Sequence, residues 1–171
     1  MSLEQRDHPL TESDKRAFLA PLPKGHLAYR LTMLWTYKRC YNKGVDIKFK
    51  VCAFEASLIA CRVLLEFLGF GIDRSSPPKL IQKREYFKLG GRIDEVKVVD
   101  LGGSFASIDI ILAEEQEILA KVYYMANRAT AHLTHGAPFM EPAELVQKAV
   151  PIIDRLLNEN LFDVIGQKPN Y

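Results

Sequence analysis

The sequence DIKFKVCAFEASLIACRVLLEFLGFG, residues 46 to 71, decides the fold of this chain. If the segment is helical, apolar side chains point in nearly every direction, so it lacks the broad polar face of a surface helix. Asp46 precedes the run, and Gly69 and Gly71 end it. The segment therefore predicts the most buried helix of a helical bundle.

A second long helix is predicted just before this one, within residues 25–44. Large apolar side chains recur there at the spacing of one helical face, until Asn42, Lys43 and Gly44 end the pattern. The apolar positions are Leu27, Leu31, Met33, Leu34, Tyr37 and Tyr41. This amphipathic helix is expected to pack against the buried one.

Two further long helices are predicted in the second half of the chain. Residues 107–136 have a helical pattern that Asp109 can cap, with acidic residues near its start and Gly136 at its end. The last helix is expected from residue 141 to about residue 160. Four long helices and a short one indicate an all-α fold, a four- to five-helix bundle.

The remaining segments have no strong pattern. We expect residues 1–22 to form a loose N-terminal arm and residues 72–107 to form an irregular insertion between the second and third long helices. The insertion is predicted to contain one short helix near residues 79–87. The alternating sequence RIDEVKVVD, residues 92–100, fits either a short strand or a helical turn. Residues 1–171 are interpreted as one domain.

Composition limits the class of protein. The chain has 171 residues, of which 48% are apolar, enough for one domain with a sizeable core. No run of about 18 apolar residues exists, so no membrane span is expected. The polar start of the chain does not look like a secretory signal, and we expect a cytoplasmic protein. Its three cysteines, Cys40, Cys52 and Cys61, are expected to be buried free thiols.

Charge is distributed unevenly along the chain. Residues 1–92 hold 17 Lys and Arg against 9 Asp and Glu, whereas residues 93–171 hold 6 against 12. The net charges of the two parts are therefore +8 and −6. Such an asymmetry fits pairing between the two parts or between subunits, and it also fits a basic face open to a polyanion.

The stretch MANRATAHLTHGAP, residues 125–138, holds the main candidate site residues. On a helix, Arg128, His132 and His135 project from one stripe. An arginine beside imidazoles can bind a phosphate and move a proton to or from a ribose hydroxyl, without a metal. The same stripe runs back through Glu117, Lys121 and Tyr124, and this fits the solvated face of an ordinary amphipathic helix equally well.

The segment NRATAH, near the end of a long helix in an all-α bundle, resembles the RNxxxH-like signature of HEPN domains. This resemblance implies a metal-independent ribonuclease site, assembled across a homodimer, in which an arginine and a histidine act on RNA. The separation of Arg128 and His135, six intervening residues, matches the family spacing, while Ala131 and His132 match its local sequence. Asn127 precedes the arginine, and Ala129 stands where the family has a polar residue.

Charged residues in the buried helix provide a further candidate. Glu55, Arg62 and Glu66 share one stripe, and charges in an apolar helix need partners. One interpretation is an Arg62–Glu66 pair under a cover of solvent. The other places Glu55 against Arg128 or His132, as the additional acidic residue that HEPN domains often have.

Two basic clusters, residues 38–50 and residues 79–92, each contain five Lys or Arg with interspersed aromatic residues. Such clusters fit a path for single-stranded RNA or simply solvated loops. No Glu-x-x-His repeat accompanies the histidines, so we expect no metal and no cofactor. The function predicted is RNA binding with possible cleavage. The alternatives are a non-catalytic interaction or regulatory module whose Arg/His stripe is a dimer or partner surface, and a small-molecule-binding bundle.

Overall fold

A computed structural model of the chain describes residues 9–41, 43–73, 75–85, 95–129 and 141–171. The predicted all-α bundle is confirmed, since four long helices form the body of the protein. The α-helices are α1 (Glu12–Leu19), α2 (His26–Cys40), α3 (Ile47–Phe67), α4 (Ala113–Ala129), α5 (Glu141–Leu157) and α6 (Asp163–Ile165). The other elements are strands β1 (Phe70–Asp73) and β2 (Lys79–Gln82), short 3-10 turns at Val98–Leu101 and Ile108–Ile110, and a π-helical turn at Asn158–Phe162.

Helix α3 lies at the centre of the core, as its sequence predicts. The Asp46 side chain caps its start by accepting a hydrogen bond of 2.7 Å from the Lys48 amide. Gly69, with φ of 91°, follows its end, where a side chain would be strained. Leu58 and Leu65 are fully buried. None of the described helices, α3 included, is both long enough and apolar enough to cross a membrane.

Hydrogen bonds between α2 and α3 show that the two helices run antiparallel. The hydroxyl of buried Ser57 accepts from the Tyr37 amide at 3.0 Å and donates to the Met33 carbonyl at 2.8 Å. Nearer the connecting loop, Lys50 donates to the Tyr41 carbonyl at 3.1 Å. Residues later in α2 therefore lie beside residues earlier in α3.

Helix α4 is likewise antiparallel to α3 and to α5. The amide of Ala106 donates to the Leu68 carbonyl, so the chain enters α4 near the end of α3. Arg155, close to the end of α5, pairs at 2.7 Å with Glu115 in the first turn of α4. The end of α2, the start of α3, the end of α4 and the start of α5 therefore share one end of the bundle. We call this the Asp46 end.

A proline inside α5 is accommodated by a lysine from α2. Pro151 has no amide hydrogen to donate, so the carbonyl of Gln147 loses its usual partner four residues on. Lys38 supplies the replacement, with its Nζ 3.2 Å from that carbonyl oxygen and 5.7 Å from the Trp35 ring centroid. The helix continues beyond the proline to Leu157.

Replacing Lys38 by methionine should lower the free energy of unfolding by about 1 to 2 kcal/mol, because the Gln147 carbonyl would lose a charged donor. Urea denaturation measures this change. Lys148→Met is the matched control, since Lys148 lies beside Gln147 in sequence but is exposed and makes no side-chain hydrogen bond to the described chain. Equal losses in the two variants would contradict this role for Lys38.

Parts of the segments expected to be irregular are ordered. Within the expected arm over residues 1–22, α1 begins with a capping box in which Thr11 and Asp14 bond each other's amides. The short helix predicted near residues 79–87 is wrong, because Lys79–Gln82 form strand β2. This strand pairs antiparallel with β1, with Phe70 opposite Gln82.

The structure also tests two predictions for the segment between β2 and α4. Of the alternatives for residues 92–100, the described part forms a helical turn, Val98–Leu101. The prediction that Asp109 caps the third long helix is wrong. Asp109 lies inside the 3-10 turn Ile108–Ile110. Ser107 caps that turn, and α4 begins later, at Ala113.

The cysteines differ in their surroundings. Cys61 is fully buried, and burial raises the pKa of its thiol to about 12. Cys40 is half-buried, but Cys52 is exposed, so the expectation of a buried thiol is wrong there. Position 52 lies on the outer side of α3, in its first two turns. Its apolar neighbours in sequence conceal that placement.

Candidate functional site

The outer face of α4 carries the polar stripe that leads to Arg128. Glu117 and Lys121 form an ion pair at 2.5 Å along this face, while Leu119 and Val122 on the opposite side are fully buried. Tyr124 and Arg128 follow on the same outer face. Within the described residues, the stripe has the form of a solvated helix face.

Arg128 is exposed, and its orientation is set by Tyr124 one turn earlier. The arginine Nη1 donates to the Tyr124 hydroxyl at 2.8 Å, and its Cζ lies 5.4 Å from the Tyr124 ring centroid. The remaining guanidinium N–H groups have no hydrogen-bond partner within the described chain. An exposed guanidinium held in this way by Tyr124 suits the binding of a phosphate group.

The other predicted residues of this stretch are only partly placed. Asn127 is half-buried and lies one turn after Tyr123, on the side of α4 that turns toward α3. His132 and His135 lie outside the described residues, as does the predicted helix end at Gly136. The alignment of Arg128 with the two histidines stays a prediction.

A polar cluster joins α3 to α4 around Glu66. Its carboxylate accepts from Arg62 Nε at 3.0 Å and from the Tyr123 hydroxyl at 2.6 Å. The Arg62–Glu66 pair predicted from sequence is thus confirmed, with Tyr123 as an additional donor. Burial raises the pKa of the Tyr123 hydroxyl most, and its hydrogen bond to Glu66 raises this pKa further. Burial lowers the pKa of Arg62, but the hydrogen bonds and charge interactions with Glu66 and Tyr123 together outweigh it, and the pKa is raised.

The structure does not join Glu55 to Arg128. Glu55 is exposed and makes no hydrogen bond or ion pair with a described residue. It lies eleven residues, about 16 Å, from Glu66 toward the start of α3, whereas Arg128 lies five residues, about 8 Å, beyond Tyr123. Because Glu66 contacts Tyr123 and the helices are antiparallel, Glu55 is roughly 9 Å farther along the bundle than Arg128.

The basic cluster of residues 38–50 divides into two kinds of cation. Lys38 and Lys50 donate to the carbonyls of Gln147 and Tyr41, and so have structural roles. The other three side chains, Arg39, Lys43 and Lys48, are exposed and make no ion pair with the described chain. All of them lie at or near the Asp46 end.

Only part of the second basic cluster, residues 79–92, is described. Arg84 lies over the Phe105 ring, with Cζ 5.9 Å from the centroid, so this cation packs within the insertion. Tyr86 and Phe87 lie outside the described residues. The predicted RNA path over this cluster stays a prediction.

Other features that could hold a ligand are limited. Across the described ranges, no three His, Cys, Asp or Glu side chains converge as metal ligands would. An open groove of about 520 Å³ separates α2 from the last residues of the chain. It is lined by Trp35, Arg39, Lys168, Pro169, Asn170 and Tyr171.

No protein-family model, curated protein or solved structure matches this chain. The chemistry of the candidate residues therefore carries the functional interpretation. Sequence reasoning identified Arg128 but missed Tyr123 as a partner of Glu66. The signal for the Arg128–Tyr124 contact was available, since the two residues are four apart on one helix.

Proposed function

We propose that this protein binds RNA through the exposed face around Arg128 and cleaves it without a metal ion. The observation that carries the proposal is the exposed guanidinium of Arg128, held by Tyr124 and without a further hydrogen-bond partner among the described residues. Arginine in this state is suited to binding two oxygens of one phosphate. The cations at the Asp46 end add attraction for a polyanion.

The proposed reaction is attack of a ribose 2′-hydroxyl on the adjacent phosphorus. One of His132 and His135 takes the hydroxyl proton while the new P–O2′ bond forms. The P–O5′ bond breaks, and the other histidine gives a proton to the leaving 5′-oxygen. Arg128 neutralises the charge that develops on the phosphoryl oxygens. The products are a 2′,3′-cyclic phosphate and a free 5′-hydroxyl.

The supporting roles and the assembly follow from the HEPN resemblance. Asn127, beside Arg128, is proposed to hydrogen-bond the phosphate or a histidine. Since Glu55 and Arg128 stand apart along the bundle, Glu55 is assigned to orienting a histidine. The proposal includes a homodimer as the active form and the cytoplasm as its location, where free thiols such as Cys61 are ordinary.

The proposal is tested by measuring the affinity of a fluorescein-labelled single-stranded RNA for the full chain over a range of salt concentrations. Arg128→Ala should weaken binding about tenfold, because a charge-assisted contact is lost. It should also reduce the salt dependence by about 0.7 in log–log slope. Tyr124→Phe should weaken binding less, since it frees the arginine but keeps its charge.

Lys121→Gln is the matched control, because Lys121 lies on the same stripe but is already paired with Glu117. It removes the same charge from α4 and should leave the affinity nearly unchanged. If Arg128→Ala binds RNA as tightly as the wild type does, Arg128 is not the phosphate contact. The proposed site then fails.

A second candidate is a non-catalytic interaction module. Ile110 and Leu112, just before α4, expose 53% and 61% of their surface, at the opposite end from Asp46. Neighbouring apolar side chains of this size are suited to contacting another protein. A wild-type chain that neither binds nor cleaves RNA would favour this function.

A further inference from the structure

We infer that the Asp46 end carries a second RNA contact, in which an unpaired base stacks on Phe49 and the exposed cations around it hold the flanking phosphates. The inference rests on the proposed function for the identity of the ligand, and extends it to single-stranded RNA. The residues concerned are Phe49, Lys48, Lys43 and Arg39. None of them belongs to the Arg128 site.

Phe49 is the aromatic residue of the basic cluster that the core does not use. It exposes 52% of its surface in the first turn of α3. Tyr41, the other aromatic residue in the centre of the cluster, packs edge-on against the buried Tyr37, with 5.7 Å between ring centroids. A bare aromatic ring on a helix surface contributes little to folding. It is available to stack on a flat ligand.

The cations near Phe49 are exposed and therefore available to bind phosphates. Lys48 precedes it in the same turn, and Lys43 lies in the loop before α3. Arg39 lies in the last turn of α2, where it also lines the groove beside the C-terminal residues. The acidic groups at this end are Asp46, whose carboxylate accepts from a backbone amide, the exposed Glu55 and Glu144, and Glu141, the first residue of α5. Positive charge is concentrated on the α2–α3 corner, around the exposed ring.

This combination favours single-stranded RNA over a duplex. Stacking on a protein ring requires a base that is not already stacked between paired neighbours, and phosphates on both sides require cations on both sides. Phe49 lies about 26 Å from Glu66 along α3, and hence about 18 Å farther along the bundle than Arg128. A short strand bound at Arg128 can extend to the corner.

The test is the affinity of the full chain for a short fluorescein-labelled single-stranded RNA and for a hairpin duplex of the same charge. Phe49→Ala should weaken single-strand binding at least about fivefold and leave duplex binding unchanged. The control is Tyr29→Ala. Tyr29 is equally exposed, at 51%, and has Arg30 near its ring, but lies at the opposite end of α2. It should have no effect.

A Phe49→Trp variant reports stacking directly. Trp35 is the single native tryptophan and is half-buried, so the wild-type fluorescence gives the baseline. RNA should quench the added tryptophan, and the variant should bind at least as tightly as the wild type. Circular dichroism and thermal unfolding of each variant check that the bundle is retained, as expected for an exposed site.

The outcomes separate this inference from the proposed function. If Phe49→Ala binds single strands normally while Arg128→Ala does not, the inference is overturned and the Arg128 site stands. If only Phe49→Ala weakens binding, the inference stands and the Arg128 site falls. If Phe49→Ala changes the sedimentation of the protein but not its RNA affinity, the corner is a contact between copies, which overturns the inference. A wild-type chain that binds no RNA overturns both.

Discussion

Replacing His132 and His135 together by alanine should lower RNA cleavage by about 10²- to 10⁴-fold, while changing RNA affinity only slightly. The expectation follows from the proposed roles, because both proton transfers lose their catalyst but Arg128 still binds the phosphate. The measurement is the rate of cleavage of a labelled single-stranded RNA under saturating protein in EDTA. Excess chelator removes the contribution of metal-dependent nucleases.

Single substitutions should separate the two histidines. Spacing from Arg128 favours His135, and local sequence favours His132. The single variant with the larger loss identifies the histidine that contributes more to the rate. The wild-type rate should follow a bell-shaped dependence on pH, with one limb lost in each single variant. A cleavage product with a 2′,3′-cyclic phosphate is required.

The Lys121→Gln variant is again the control, since it should cleave at the wild-type rate. Equal activity in the wild type, the double histidine variant and Arg128→Ala would assign the cleavage to a contaminating nuclease. That result would end the interpretation as an enzyme. The RNA-binding role of Arg128 would then depend on the affinity measurements alone.

The four long helices could be predicted because their signals are local. Asp46 and Gly69 stand at the two ends of α3, and both act on the backbone within a few residues. The predicted start of α4 is wrong because Ser107 and Asp109 form an equally local cap for a different element, a 3-10 turn. Capping residues indicate that a helix begins without showing how far it continues.

The strands could not be predicted because their stability comes from distant residues. Lys79–Gln82 has only four residues and no alternation that distinguishes it from a helical turn. The side-chain amide of Gln82 holds the strand in place. Its Nε2 donates to the carbonyls of Gly69 and Ala106, and its Oε1 accepts from the backbone N–H of Ile108. No short-range pattern contains these partners.

In the candidate site too, contacts between residues close in sequence could be predicted, and contacts between distant residues could not. The Arg62–Glu66 pair and the Arg128–Tyr124 contact join residues four apart, a spacing that sequence displays directly. Tyr123 reaches Glu66 across 57 positions, and this contact depends on how α4 packs against α3. The exposure of Phe49 also depends on packing. Of its neighbours in sequence, Lys48 is exposed, whereas Lys50 is half-buried and donates to the Tyr41 carbonyl.

The two glycines of the Leu-Gly-Gly step at residues 101–103 have different surroundings in the structure. Gly102 has φ of 92° and ends the 3-10 turn, and among the described residues a Cβ there would meet only Ile165, at 3.5 Å. Gly103 packs directly on the π-helical turn. A Cβ at Gly103 would overlap the backbone oxygen of Asn160 and lie 2.8 Å from a methyl group of Val98.

Replacing Gly103 by alanine should therefore lower the free energy of unfolding by about 3 kcal/mol, because backbone atoms cannot move aside as a side chain can. The same carbonyl of Asn160 accepts from the Ser104 amide at 2.8 Å, so any shift also weakens this bond. Gly102→Asn should cost less than about 1 kcal/mol, since asparagine tolerates positive φ. Urea denaturation gives both values, and a Gly103→Ala loss no larger than that of Gly102→Asn would contradict the close packing of the insertion on the π-helical turn.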